Sequence, residues 1–248
     1  MLLALILILP ITPLIFWSFA NRWQFPHAFP QVFGFNGWFS FFRNGGVSAV
    51  GQSLLIGFLT MVVVVPLSFS AAHVVTNSKR WYIRIFEAIL FLPVFLPPFV
   101  LVMGVATGSI IVGASPLLAV IGTISALAMP YSVFVLRSAF INYGKSWEEE
   151  GKLLGARGWA ILFRIRIRIL KKPILAASLI AFLIGWSDYI VTLTVGGGQV
   201  LSLPLLIGSA ASAPGNDSTL ATMSLISIFL PIMLAKVVQL AVNKKGMR

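Results

Sequence analysis

"SWEEEGKLLGARGW", residues 146–159, is the most polar stretch of a chain otherwise made of lipid-soluble runs. Three of the six acidic residues stand together here, at Glu148, Glu149 and Glu150, followed by Leu153, Leu154 and glycines at 155 and 158. Around this island the 248-residue chain is 58% hydrophobic and only 10% charged, with a mean hydropathy of +0.98. A soluble fold of this size cannot hide so much apolar surface behind so few charges. The apolar runs lack the period-two alternation of outer-membrane strands, so the reading is an all-α integral membrane protein.

A spanning helix needs roughly 20 mostly apolar residues. Six stretches meet that length, at about 1–20, 50–76, 85–107, 116–136, 173–195 and 220–242. They form a single transmembrane domain, 1–248, with the polar island inside a connecting loop at 137–172. The first stretch reads as an uncleaved span rather than a secretory signal, because no basic residue precedes it and Pro10 and Pro13 interrupt it. Orientation follows from the basic residues. Lys79, Arg80 and Arg84, the basic residues of the 137–172 loop, and Lys244, Lys245 and Arg248 share one side when the N-terminus is cytoplasmic. The opposite side then holds only Arg22 and Arg43, so both termini are expected in the cytoplasm. The net charge of +12 is thus assigned to cytoplasmic loops facing anionic lipid, not to nucleic acid. The outer loop from Asn21 to Gly46 carries Trp23, Trp38, Phe39, Phe41 and Phe42, which suit the boundary between lipid and water.

The absence of cysteine excludes disulfides and thiolate chemistry. Two histidines and six acids leave little material for a metal or acid–base site, so neither a metal nor catalytic residues are expected. No phosphate-binding G-x-x-x-x-G-K-[ST] loop is present, so any nucleotide-driven work falls to another polypeptide.

Within the polar island Ser146 and Glu149 have the spacing of a capping box, and the acids suit the positive end of a helix dipole. Leu153 and Leu154 add an apolar patch, and Gly155 is a left-handed stop. The pattern predicts a short helix, a glycine bend and a second helical run from Gly158 and Trp159. Three adjacent glutamates would be repelled by an anionic leaflet, which favours a basic protein partner over a helix resting on lipid.

This loop resembles that of the permease subunits of type I ABC importers, which carry E-A-A-x-x-x-G and, after nine intervening residues, I-x-L-P. Glu149 and Gly155 match the motif's Glu and Gly, and Ile165 stands at its isoleucine; Glu150 and Gly151 replace the alanines, and Ile167 and Arg168 replace L-P. The likeness extends to "GWSDYIVTLTVGGGQVLSLP" and "NDSTLATMSLI" and is nearest to the polyamine, ferric-iron and thiamine branch. It implies a six-span permease of the bacterial inner membrane. Its partners would be two ATP-binding subunits, a second permease (sister or identical) and an extracytoplasmic binding protein, with ATP and Mg held by the partner ATPases. It also implies that Glu149, Glu150, Leu153, Leu154, Gly155 and Arg157 form the ATPase-coupling surface, with Glu149 paired to a partner arginine.

Two further features bear on transport. "FRIRIRILKK", 163–172, alternates basic and apolar residues as a strand would, but next to a span it is expected to be helix, with Arg164 and Arg168 on one face. Asp188 is the only acid well inside an expected span, about 22 Å beyond Pro173 at ~1.5 Å per residue. A charge there costs about 2.5–3.5 kcal/mol on insertion scales unless it meets water or a partner. It either faces the translocation path, with Trp186 and Tyr189 beside it, or caps a helix break near Gly185 or pairs with another subunit. Tyr131 and Met103 are further candidates for the path, although the prolines near them serve equally well to bend helices. The cargo is expected to be a small cation, a polyamine ahead of ferric iron or thiamine, with an aminophosphonate or other oxyanion as the alternative. A self-sufficient secondary transporter is the competing class, but it would favour internal repeats and several buried ionisable groups.

Overall fold

The computed structural model describes residues 9–244 apart from positions 25, 79, 145, 214 and 216, without side chains at 10 and 237–244. Its elements in chain order are α1 (Thr12–Ser18), β1 (Ala20–Arg22), β2 (Val32–Phe33), α2 (Asn36–Arg43), α3 (Gly46–Asn77), α4 (Trp81–Phe95), α5 (Pro98–Val112) and α6 (Pro116–Tyr143). There follow α7 (Ser146–Leu153), α8 (Gly158–Ala160), a π-helical segment (Ile161–Arg166), α9 (Ile167–Ile169), α10 (Lys171–Trp186), α11 (Ile190–Thr194), α12 (Leu203–Ala211) and α13 (Asp217–Lys244).

Three helices, α3, α6 and α10, form the centre. Lipid offers no hydrophobic drive for helices to associate, so close backbone approach and hydrogen bonds must hold them. The seams fit that rule. Ala72, Ala128, Ala177, Ala181, Ser53, Thr60, Ser68 and Ser132 are wholly or almost wholly buried. A Cβ on Gly185 would lie 2.9 Å from the Cα of Gly57, so only glycine permits this crossing. The Ser68 and Ser132 hydroxyls donate to the Met129 and Ala177 carbonyls, at 3.4 Å each. Helix α13 packs against α1, α2 and α12, and Trp186 joins it to the centre by donating Nε1–H to the Ser227 carbonyl at 3.1 Å.

The helices α3, α6 and residues 217–236 of α13 are each long and apolar enough to cross a membrane. They begin and end close to the expected second, fourth and sixth spans, with α6 running seven residues past the expected end. The third expected span is α4 and α5, which meet at 105° across Leu96 and Pro97 and qualify as one crossing only when taken together. The three prolines at 93, 97 and 98 explain the break, since each removes a helical donor. The fifth expected span is also divided, into α10 and the short α11, at residues 187–189. Much of the first, residues 1–8, lies outside the described residues. Among the described residues there are therefore three crossing helices, or four with the bent pair.

The aromatic loop after α1 contains what the all-helical expectation did not include: a two-stranded antiparallel ribbon in which Ala20 faces Phe33 and Arg22 faces Val32. It is too short to announce itself by periodicity.

Candidate functional site

Helix α6 ends at Gly144, and α7 turns away from it carrying the three glutamates. The glutamates part company at once. Glu148 points inward and receives Arg166 Nε and Nη2, both at 2.9 Å, while Glu149 and Glu150 remain exposed. Successive helical residues project about 100° apart, so one member of a triplet can face the protein and the others solvent. The expected capping box does not form. Ser146 is itself the first helical residue, its hydroxyl makes no hydrogen bond among the described residues, and position 145 before it lies outside them.

The stop at Gly155 is as expected. Its φ of +80° is left-handed, the Ala156 amide donates to the Gly151 carbonyl, and the Gly155 amide donates to that of Lys152, each at 2.9 Å. This pair of bonds is the Schellman arrangement, which satisfies the last carbonyls of the helix. It leaves Leu153 and Leu154 at the tip, 87% and 89% exposed. The second helical run starts at Gly158 and passes through the π segment, where Trp159 and Phe163 stack with ring centroids 5.5 Å apart and planes 7° apart. Arg164 and Arg168 are both exposed on this run, as the helical reading of "FRIRIRILKK" requires, and Arg166 turns the other way. Leu154, Gly155, Arg157, Trp159, Phe163 and Arg164 border an open groove of ≈ 720 Å³. Behind α7 a second cavity of ≈ 630 Å³ lies against the ends of α3 and α6, lined by His73, Thr76, Asn77, Tyr143, Glu148 and Arg166. All six residues expected on the coupling surface thus lie on one projecting knob. Glu148, Trp159 and Phe163 are not among the residues expected on the coupling surface; the i, i+4 spacing of the two aromatics is the signal available for them.

The expected path residues are not gathered in the same way. Trp186 is 1% exposed and packs among Phe41, Phe182, Leu203 and Met223. Asp188 sits in the break between α10 and α11 and caps α11: Oδ2 accepts from the Thr192 amide at 2.8 Å and its hydroxyl at 3.0 Å, and Oδ1 accepts from the Val191 amide at 3.4 Å. Of its expected roles, the cap is the one formed within the described residues. Tyr189 is partly exposed and lines a recess of ≈ 330 Å³ with Ser187, Pro204, Ile207, Gly208 and Ser227. Met103 on α5 and Tyr131 on α6 are half-exposed, and neither borders that recess.

Residues 64–246 match the family described as binding-protein-dependent transport system inner membrane component. Two curated relatives from Escherichia coli (strain K12) are similar. The inner membrane ABC transporter permease protein YnjC is 26% identical over 188 residues, covering 75% of this chain and 36% of its own length. The inner membrane ABC transporter permease protein YcjP is 23% identical over 201 residues, covering 78% of this chain and 68% of its own. The chain thus spans about a third of the first relative and two thirds of the second.

Proposed function

The chain belongs to the family of binding-protein-dependent transport inner-membrane components, the permeases of type I ABC importers, and we propose that it works as one half of a two-permease pathway driven by separate ATPase subunits. It is a multi-pass inner-membrane protein. In this reading the chain crosses the membrane six times with both termini in the cytoplasm, and the knob at 146–169 projects there. Two ATPase subunits hold ATP and Mg, and each receives a knob from one permease. Their closure around nucleotide moves the knobs and rocks the spans, and an extracytoplasmic binding protein delivers the solute.

One observation carries this reading. Leu153 and Leu154 stand almost fully exposed at the tip of a helix whose other side is fastened to the protein, next to the exposed carboxylates of Glu149 and Glu150. Two exposed leucines rimmed by acids suit an apolar pocket edged by basic residues. The family's Glu and Gly fall on this helix and on its stop.

We take a small cation, a polyamine first, as the cargo, because Asp188, next to Tyr189 in the sequence, brings a carboxylate to the break in the expected fifth span. Ferric iron, thiamine or an aminophosphonate are the alternatives. The test is uptake into vesicles. Vesicles bearing this chain with its partner permease, ATPase and binding protein should accumulate solute only with ATP, and omission of the ATPase should abolish uptake. Uptake by the chain alone would instead establish a secondary transporter.

A further inference from the structure

We propose that the Glu148–Arg166 pair is a brace that makes the knob and the helix behind it one rigid body, so that force on the knob reaches the spans. This rests on the coupling reading above and adds positioning residues that the motif does not include.

The geometry is that of a clamp. Arg166 uses Nε and Nη2 on the same carboxylate, both at 2.9 Å, with side-chain exposures of 16% for Arg166 and 19% for Glu148. Two parallel bonds from a planar guanidinium set orientation as well as distance, which a single bond or a lysine does not. Partial burial shields the pair from the solvent screening that weakens surface ion pairs. A second point of attachment lies one turn along α7, where Gly151 is buried against Ile165.

The position of the pair matters as much as its strength. Helix α7 packs chiefly against the π segment. Arg166 ends that segment, and from it backbone hydrogen bonds continue inward without a gap. The Leu170 amide donates to the Arg166 carbonyl and the Ile174 amide to that of Leu170, each at 2.9 Å. Leu170 is buried, and α10 then enters the central bundle. A push at Leu153 or Leu154 therefore reaches α10 by two routes. One is the chain through the Gly155 bend, which can flex. The other is the short path from α7 directly onto the π segment, through the two Glu148–Arg166 bonds and the Gly151–Ile165 contact. Glu149 and Glu150, facing outward, remain available to a partner. Loss of the brace should leave docking intact and let the knob move without carrying α10.

The experiment uses the complete reconstituted transporter and measures both retention of the ATPase and solute taken up per ATP hydrolysed. Glu148→Gln and Arg166→Gln should each retain the ATPase within about twofold while uptake per ATP falls about tenfold or more, a coupling loss of ordinary size for such sites. The exchanged pair, Glu148→Arg with Arg166→Glu, should recover most of the loss. Wild-type uptake per ATP in both single variants, or no recovery on exchange, overturns the brace. Should the single variants fail to accumulate in the membrane, the chain's lack of cysteine gives a second route. Glu148→Cys with Arg166→Cys, joined by a short bifunctional thiol reagent, should transport when bridged and uncouple when released; indifference to bridging overturns the proposal. If the wild-type chain itself retains no ATPase, it is the coupling reading that has failed, and the brace falls with it.

Discussion

A Cβ placed on Gly151 would lie 2.6 Å from Cδ1 of Ile165. By the resemblance drawn from the sequence these two residues stand at the motif's second alanine and its isoleucine, and the structure brings them together across the bend. The contact explains why the first helix needs a small residue there. An alanine is accommodated by swinging the end of one isoleucine, whereas a β-branched side chain must move backbone. Gly151→Val should therefore cost about 1–3 kcal/mol as an overpacked contact and pry the two helices apart. Limited proteolysis between residues 153 and 160 would report it, with faster cleavage than in the wild-type chain and the spans intact.

The exposed tip makes the opposite prediction. Leu153 and Leu154 stand almost fully exposed among the described residues, so Leu154→Ala should leave the chain's stability within about ±0.5 kcal/mol, as for an ordinary surface change. At an interface the same truncation removes an anchor, and ATPase retention should fall about tenfold. Glu149→Lys should weaken retention by a similar factor through charge reversal at an exposed surface carboxylate. Unchanged co-purification of both variants would remove the knob from the interface.

How much of this was legible in the sequence depended on the range of the forces involved. The spans 46–77 and 116–143 stand out because their apolar character is local and continuous, and the bend at Leu96 and Pro97 because proline acts on its own backbone. The stop at Gly155 was legible for the same reason. Which of three adjacent glutamates turns inward was not, because the choice belongs to Arg166, eighteen residues away. The break after Trp186 was legible only as one of several readings of Asp188. Ser187 and Tyr189 are compatible with a helix, and only the carboxylate of Asp188, bonded to the Val191 and Thr192 amides, starts a new one. The sequence sets Trp186 two positions from Asp188 on the expected path, but as the last residue of α10 it packs into the core against Phe182.

The ion pair between Glu87 on α4 and Arg137 on α6 offers a test of a different kind. Helix α4 has no buried residue of its own, so this pair is among its few fixed attachments to the bundle. Both side chains are partly exposed, which limits the pair to about 1 kcal/mol, or roughly a fivefold change in local opening. In Arg137→Ala, hydrogen exchange at 81–95 should accelerate by about that factor while α6 and α10 keep their protection. Equal acceleration across all three helices would mean that the pair supports the whole bundle rather than α4 alone.

Asp188 can be separated into charge and cap by two substitutions. The carboxylate holds the first turn of α11 through two backbone amides and the Thr192 hydroxyl. Asparagine keeps an oxygen acceptor in the same place, whereas alanine keeps neither acceptor nor charge, and loss of a cap of this kind costs about 0.5–2 kcal/mol. If the role is the cap alone, Asp188→Asn should transport within about twofold of wild type, and Asp188→Ala should show lower stability in detergent and lower uptake together. If the charge also meets a cationic solute, Asp188→Asn should already raise the substrate concentration needed for half-maximal uptake about tenfold, with stability and ATPase retention unchanged. A normal concentration dependence in Asp188→Asn would confine Asp188 to the helix break, and the cationic cargo would lose its principal support.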